Sequence, residues 1–397
     1  MIRSMTAARH VVALLLAPEL AALDAVAPAA AQAKATRMRK DPLSFARGAT
    51  GLVAAWLARH HAGDGPWTWA VGDAHLGNIA LLATGPRRAD GRVPVTIDIA
   101  DVDDEHAAPW SWDLLRLGAS YAQAWPKLGG RAAAGLASAA VEAYADTLQR
   151  LADGDTLAGI VDLNGLPVPL QKALVDLNRE AAPKRHLALH ASTRQGRLRL
   201  RRGTAGAEDP EALEALHHAW DAQADLPPHS WSDGVRRLTD HGVSSRGRRR
   251  WLILIEEGRH HRLLEIKERP PSCLERVIGV TPFPPRDGRP ITVPMGGDPY
   301  QRVLALASGR VLVRTRCHAR VPLDTTTCDE GDRLRAAHLH GQLIARFQWT
   351  GLQRLSIQAA RIGSDIATTA HQEAPRLGRH GVQLASHLTA CWTAFRG

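Results

Sequence analysis

The sequence is short of four things, and each shortage closes a class of explanation. Its cysteines are few: Cys273, Cys317, Cys328 and Cys391 show no Cys-x-x-Cys spacing and no histidine pair at zinc-finger distance. Neither a disulfide framework nor a structural zinc is expected, and scattered thiols suit a reducing cytoplasm. Lysine is scarce beside arginine, so the net charge of +10 reflects base composition as readily as a polyanionic partner. It permits phosphate-bearing ligands without requiring them. No uninterrupted apolar run reaches the length of a membrane span, and no internal repeat is visible. What the chain does have is 45% apolar residues over 397 positions, enough for a large buried core, so disorder is not expected.

The first residues pose the question of export. Arg3 and Arg9 precede the apolar run Val11 to Leu16, and Ala31-Gln32-Ala33 resembles a cleavage site. Pro18, Glu19 and Asp24 interrupt that pattern, and the run lies far from the cleavage site. A loose Ala-rich segment over 1–35 in a cytoplasmic protein is the expectation.

Helical spacing follows from Pro42 to Ala62, then the turn cluster Gly63-Asp64-Gly65-Pro66. Short strands are predicted at 67–71, 78–82 and 93–99, with polar chemistry at their ends. Residues 112–151 read as two helices broken around Pro126 to Arg131, and 162–228 as a helical connector. Arg250 to Ile266 and Arg302 to Arg316 read as strands of a small β-rich unit, and helical periodicity resumes at Glu330. The implied divisions are 1–35, 36–228, 229–325 and 326–397, in an α+β chain.

Chemistry concentrates in Val71-Gly72-Asp73-Ala74-His75-Leu76-Gly77-Asn78, where a carboxylate and an amide stand five residues apart on a tight turn. Phosphoryl transfer uses such a pair: Asp73 to orient and deprotonate an acceptor hydroxyl, Asn78 to hold magnesium. His75 is a candidate catalytic partner, although a histidine on a tight loop more often fixes backbone by a hydrogen bond. One strand later, Asp98, Asp101 and Asp103 form a carboxylate group that stays ionised only beside a cation or basic residues, which suggests a metal site. Asp113 opens a helix, either capping it or holding the loop at Asp73. Trp110 and Trp112 read as packing anchors. Arg246, Arg248, Arg249 and Arg250 read as a solvated basic turn.

The order GD-x-H-xx-N, strand, ID, then a helix-opening DL resembles the catalytic half of aminoglycoside-phosphotransferase-like kinases. More closely still, KDPLSFARG (40–48), GDAHLGN, IDIADVDD, PWSWDLLRLGAS and LLEIKERPPS (263–272) resemble the bacterial domain-of-unknown-function family 2252. The resemblance implies a bilobal protein-kinase-like fold acting with ATP and Mg2+. In it Asp73 is the catalytic aspartate, Asn78 and Asp98 are metal ligands, Asp101 and Asp103 are extra ligands, and Asp113 is structural support. Gly242, Ser245 and Gly247 are similar to a glycine-rich phosphate loop, and Lys267 to the strand lysine that grips nucleotide phosphates. Arg47, in the first block, is assigned to phosphate recognition by the same match. Ala100 stands where that family usually has Asn, and Ser244 and Arg246 replace small or apolar residues. The catalytic motif precedes the nucleotide-gripping unit, the reverse of an ordinary kinase, which implies circular permutation with the helix around His340 to Trp349 packed on the catalytic loop.

Two rival readings accompany this one. A metallophosphoesterase would use Asp73-Ala74-His75 with His338 and His340. A non-catalytic nucleotide-binding or nucleic-acid-binding protein would use the positive charge. The fold does not name the acceptor; a small molecule is the expectation, with nucleic acid and a membrane not expected as partners.

Overall fold

A computed structural model describes residues 2–396 apart from 62, 64, 86–87, 90–92, 157–164, 178–186, 195–196, 202–209, 224–225, 228, 238–248, 280–292, 308 and 317–319. The architecture is α+β, mostly helical with small antiparallel sheets. The N-terminal segment is helical, in keeping with its Ala-rich composition: α1 (Ile2–Val11) runs through a π-turn (Val12–Leu16) into α2 (Ala17–Val26), followed by α3 (Pro28–Lys40). Ala8 and Leu16 are buried in the main core, and Lys34 pairs with Glu19 at 2.7 Å. By length and composition Thr6–Ala25 is apolar enough to cross a membrane, contrary to the expectation from uninterrupted runs, because its polar residues are too few to lower the average.

Helix α4 (Pro42–Gly48) starts where a cap dictates. Asp41 accepts the Ser44 amide at 2.7 Å, and Pro42 occupies the first helical position, where no amide is needed. α5 (Thr50–His61) leads to β1 (Trp67–Ala70), β2 (Ile79–Leu82), β3 (Thr96–Ile99) and β4 (His106–Pro109). β1 pairs with β4, and β2 with β3 in the register Ile79↔Ile99 and Ala80↔Asp98. That pairing brings the segment entering β2 and the segment leaving β3 to one end of the hairpin, where the Ala100 amide donates to the Asn78 carbonyl at 2.6 Å.

The helices α6 (Ser111–Ala124), α7 (Gly129–Ala152), α11 (Glu330–Leu355) and α12 (Ala359–Arg396) pack around the main core, with Trp110 and Trp112 buried as anchors. α11 lies so close to α7 that a side chain at Gly341 would collide with the Ala140 carbonyl. Between these halves lie α8 (Val168–Leu177), the hairpin β5 (Ala191–Arg194) and β6 (Arg197–Leu200), and α9 (Pro210–Asp221). The hairpin replaces part of the helical connector expected there. Arg197-Leu198-Arg199-Leu200 alternates with period two, and it packs Leu200 and Ala191 on the apolar face of Leu252, Leu254 and Leu263.

The β-rich unit is a five-stranded antiparallel sheet in the order β10 (Arg302–Leu306), β11 (Gly309–Thr315), β9 (His260–Glu268), β8 (Arg250–Glu257), β7 (Ser230–Arg237). α9 covers one face through Leu216 and Trp220. α10 (Cys273–Ile278) follows β9 behind a Ser272–Glu275 capping box, and β12 (Arg320–Pro322) extends the β2–β3 pair.

Candidate active site

The loop between β1 and β2 is fixed from beneath by one carboxylate. Asp113, in the first turn of α6 and 1% exposed, accepts the Val71 amide at 2.8 Å and the Gly72 amide at 3.0 Å. Gln348 of α11 donates to the same carboxylate at 2.9 Å, and Tyr144 of α7 donates to Gln348 at 2.8 Å. Burial pushes the Asp113 pKa up against the pull of these bonds. Gly72 has φ +87°, and a Cβ there would strike the Asp104 carbonyl, so only glycine satisfies both the backbone and the neighbour. Two turns along α6, Ser120 accepts the Leu76 amide at 3.0 Å.

Asp73 projects from this loop with 14% of its side chain exposed. Arg116, three residues after Asp113 and therefore on the same helix face, donates to Asp73 Oδ1 through Nε at 3.0 Å and lies 2.9 Å away through Nη2. Sequence reading missed Arg116, although its spacing from Asp113 was the signal. Burial raises the Asp73 pKa to about 7, with Arg116 and Arg47 pulling the other way. His75 Nε2 stands 3.7 Å from Asp73 Oδ2, while Nδ1 accepts the Gly77 amide at 3.0 Å, the backbone-fixing role. Burial, then Arg47 and Arg116, hold His75 well below the usual histidine range, so it is neutral. Arg47, at the end of α4, comes to the same loop: Nη1 is 3.8 Å from the position a Cβ at Gly77 would take. Burial lowers its pKa despite the attraction of Asp73.

Asn78 donates through its side chain to the Asp73 carbonyl at 2.7 Å and the Asp101 carbonyl at 3.4 Å, stitching the two loops together. The acidic segment itself divides. Asp98 is engaged by its neighbour Ile99 and by Gly296, both through amides at 2.8 Å, and by Arg346 of α11 at 3.5 Å. Asp104 accepts the Cys273 amide at 3.0 Å, and Glu105 pairs with Arg269 at 3.0 Å. These tie the loop to α11 and to the start of α10. Asp101 and Asp103 face the five-stranded sheet instead: Lys267 of β9 forms an ion pair with Asp103 and lies in the field of Asp101. Burial would raise Asp101, but Lys267, Arg320 and Arg314 hold it well below the usual carboxylate range. Its Oδ1 is buried without a hydrogen-bond partner among the described residues.

Behind Lys267 the sheet carries a second cation group. The register Arg250↔Lys267 and Glu265↔Arg314 places these side chains on one face. Glu265, 2% exposed, pairs with Arg314 at 3.0 Å and with Arg250 and Arg316 at 3.1 Å each. Arg250 is therefore buried in an ion network, which corrects the reading of it as part of a solvated turn. Arg249 pairs with Glu268 at 2.5 Å. Gly242, Ser245 and Gly247, and with them Arg246 and Arg248, lie outside the described residues. His338 is exposed, whereas His340 is buried with its ring nitrogens toward the Ala336 and Leu76 carbonyls.

Among the described residues no three carboxylate, imidazole or thiol groups converge to hold a metal. The donors present suit a different arrangement. Magnesium is commonly held by one or two carboxylates together with the oxygens of a bound phosphate ligand. Asp101, with its unpartnered oxygen, and Asn78 fit that demand, and Lys267 fits the phosphates. Asp98 fits less well because amides and Arg346 already occupy its oxygens.

No curated protein and no solved structure matches the chain. A family model described as an uncharacterized protein conserved in bacteria (DUF2252) matches residues 26–396, which takes in α3 and every site residue described above. The chain belongs to this bacterial DUF2252 family.

Proposed function

We propose that this chain is an ATP- and Mg2+-dependent phosphotransferase with a circularly permuted, kinase-like arrangement, working in the cytoplasm on a small-molecule acceptor. The observation that carries the reading is that four residues from three segments lie together: Asp73 and Asn78 on the loop before β2, Asp101 after β3, whose carbonyl like that of Asp73 accepts from the Asn78 side chain, and Lys267 on β9, in the field of Asp101. Kinase chemistry asks for a base, a metal-binding amide, a metal-binding carboxylate and a phosphate-binding lysine, and these residues supply that set.

Asp73 would accept the proton of the acceptor hydroxyl, its pKa of about 7 suiting a base at neutral pH. Lys267, buried beside Asp101 and Asp103, would exchange a carboxylate for phosphate oxygens, and Asn78 with Asp101 would hold the cation. Bound ATP and magnesium would supply the transferable phosphoryl group and neutralise the charge developing on its oxygens. α11 supports the permuted arrangement because Gln348 and His340 reach the catalytic loop from far along the chain.

A thermal-shift titration tests the proposal. A ligand that binds only the folded state stabilises it by about 2.7 kcal/mol at a hundredfold excess over Kd. The wild-type melting point should rise with ATP and magnesium together, and Asp101→Ala and Lys267→Met should lose most of that rise. Asp98→Ala should keep more of it than Asp101→Ala if Asp101 is the principal carboxylate. A wild-type protein indifferent to millimolar ATP and magnesium would end the reading.

A further inference from the structure

We propose that the acceptor is an anionic hydroxyl compound, carrying a phosphate or carboxylate near the reacting hydroxyl, and that Arg47 and Arg116 hold this group beside Asp73. The inference rests on the phosphotransfer reading and adds the charge class of the second substrate.

Two guanidiniums approach Asp73 with donors left over. Arg116 is 1% exposed and donates through Nε to one oxygen of Asp73, with Nη2 at ion-pair distance from the same oxygen, but Nη1 and Nη2 are both buried with no hydrogen-bond partner among the described residues. Arg47 reaches the loop at Gly77, and no hydrogen bond or ion pair ties its guanidinium to any described residue. The buried, unpartnered nitrogens of Arg116 are unfavourable as they stand, and Arg47, held near by the charges of Asp73 and Asp101, keeps its guanidinium donors uncommitted to a described residue. An incoming phosphate or carboxylate removes that penalty, because the planar fork of arginine matches two oxygens at once. Among the described residues the second oxygen of Asp73, Oδ2, has only His75 at 3.7 Å as a polar neighbour and would be left for the hydroxyl.

The surroundings carry the same sign. A cleft of about 620 Å3 runs along α3, lined by Ala29, Gln32, Ala33, Thr36, Arg37 and Lys40, so its charged lining groups are basic. A cationic acceptor such as an aminoglycoside would meet the guanidiniums of Arg47 and Arg116 on the Asp73 side of the site, the carboxylates of Asp101 and Asp103 being turned to Lys267 instead, and like charges placed together are unfavourable. The described residues around Asp73 therefore select against the acceptors for which the kinases resembling this chain are named.

Calorimetric titration tests this, with glycerol 3-phosphate as the phosphate probe, glycerate as the carboxylate probe, and glycerol and an aminoglycoside as the neutral and cationic controls. Each is titrated into wild-type protein and into Arg47→Gln and Arg47→Lys, with ATP and magnesium titrated separately into all three. At least one anionic probe should bind ten times more tightly than glycerol, and the arm that binds identifies phosphate or carboxylate as the group. Arg47→Gln should weaken that binding by tenfold or more and Arg47→Lys by less, with ATP affinity retained. The proposal falls if the aminoglycoside or glycerol binds as well as either anion, or if Arg47→Gln weakens ATP and the anionic probe together, which would move Arg47 to the donor side. Wild-type protein that binds an anionic probe but not ATP would remove the phosphotransfer reading, and the acceptor role with it.

Discussion

Asp113→Ala should cost the protein about 4 kcal/mol of stability, a large share of the 5–15 kcal/mol typical of a folded chain. The carboxylate accepts three hydrogen bonds, from the Val71 and Gly72 amides and from Gln348, in a site that is 1% exposed. Alanine leaves three buried donors without partners, and each such donor costs about 1–3 kcal/mol. Asp113→Asn keeps one oxygen but turns an NH2 group toward a donor, so it should fall between alanine and wild type. Urea denaturation measures the effect through the midpoint at constant slope. A loss under about 1 kcal/mol for the alanine variant would mean that the loop holds its shape without Asp113, and the support assigned to it would be wrong.

Asp73→Asn should behave in the opposite way at neutral and alkaline pH. The folded-state pKa of Asp73 is about 7, above the 3.8 of an unperturbed carboxyl, so the folded protein binds a proton that the unfolded chain releases between those values. Its stabilising contribution is present in full at low pH and is lost as pH rises from about 4 to about 7. Asparagine does not titrate. Subtracting the variant's stability curve from that of the wild type should therefore show a decline of about 2–4 kcal/mol between pH 4 and pH 8, at about 1.4 kcal/mol per pH unit with a reduction for partial exposure. Two parallel curves would show that Asp73 titrates like an ordinary surface carboxyl and has no claim to be a base poised near neutrality. The same protonation predicts that any transfer activity rises with pH through about 7 and disappears in Asp73→Asn.

The parts of the site legible in the sequence are those whose logic is local. Asp73 and Asn78 share one turn, and Asp113 opens a helix within reach of it, so spacing alone placed them together. Arg116 was legible on the same ground, by its three-residue offset from Asp113. The surroundings of Asp98 were not legible, because Gly296 and Arg346, which engage it, lie 198 and 248 residues away and no local pattern reports such partners. The cation group around Glu265 was hidden for a similar reason. Alternation along β9 puts Glu265 and Lys267 on one face, but only strand register brings Arg250 of β8 and Arg314 of β11 to that face. The helical bundle was legible from periodicity, whereas the β5–β6 hairpin was obscured by arginines that made an amphipathic strand look like a basic connector.

Asp104 has two attachments that point in different directions. Its carbonyl closes on Gly72 at the root of the Asp73 loop, and its carboxylate holds the first amide of α10, the helix that directly follows the strand of Lys267. A tilt of the five-stranded sheet cannot then be absorbed by slack at this joint: it drags the loop with it. One residue thus serves as hinge pin for both the root of that loop and the helix start beyond β9.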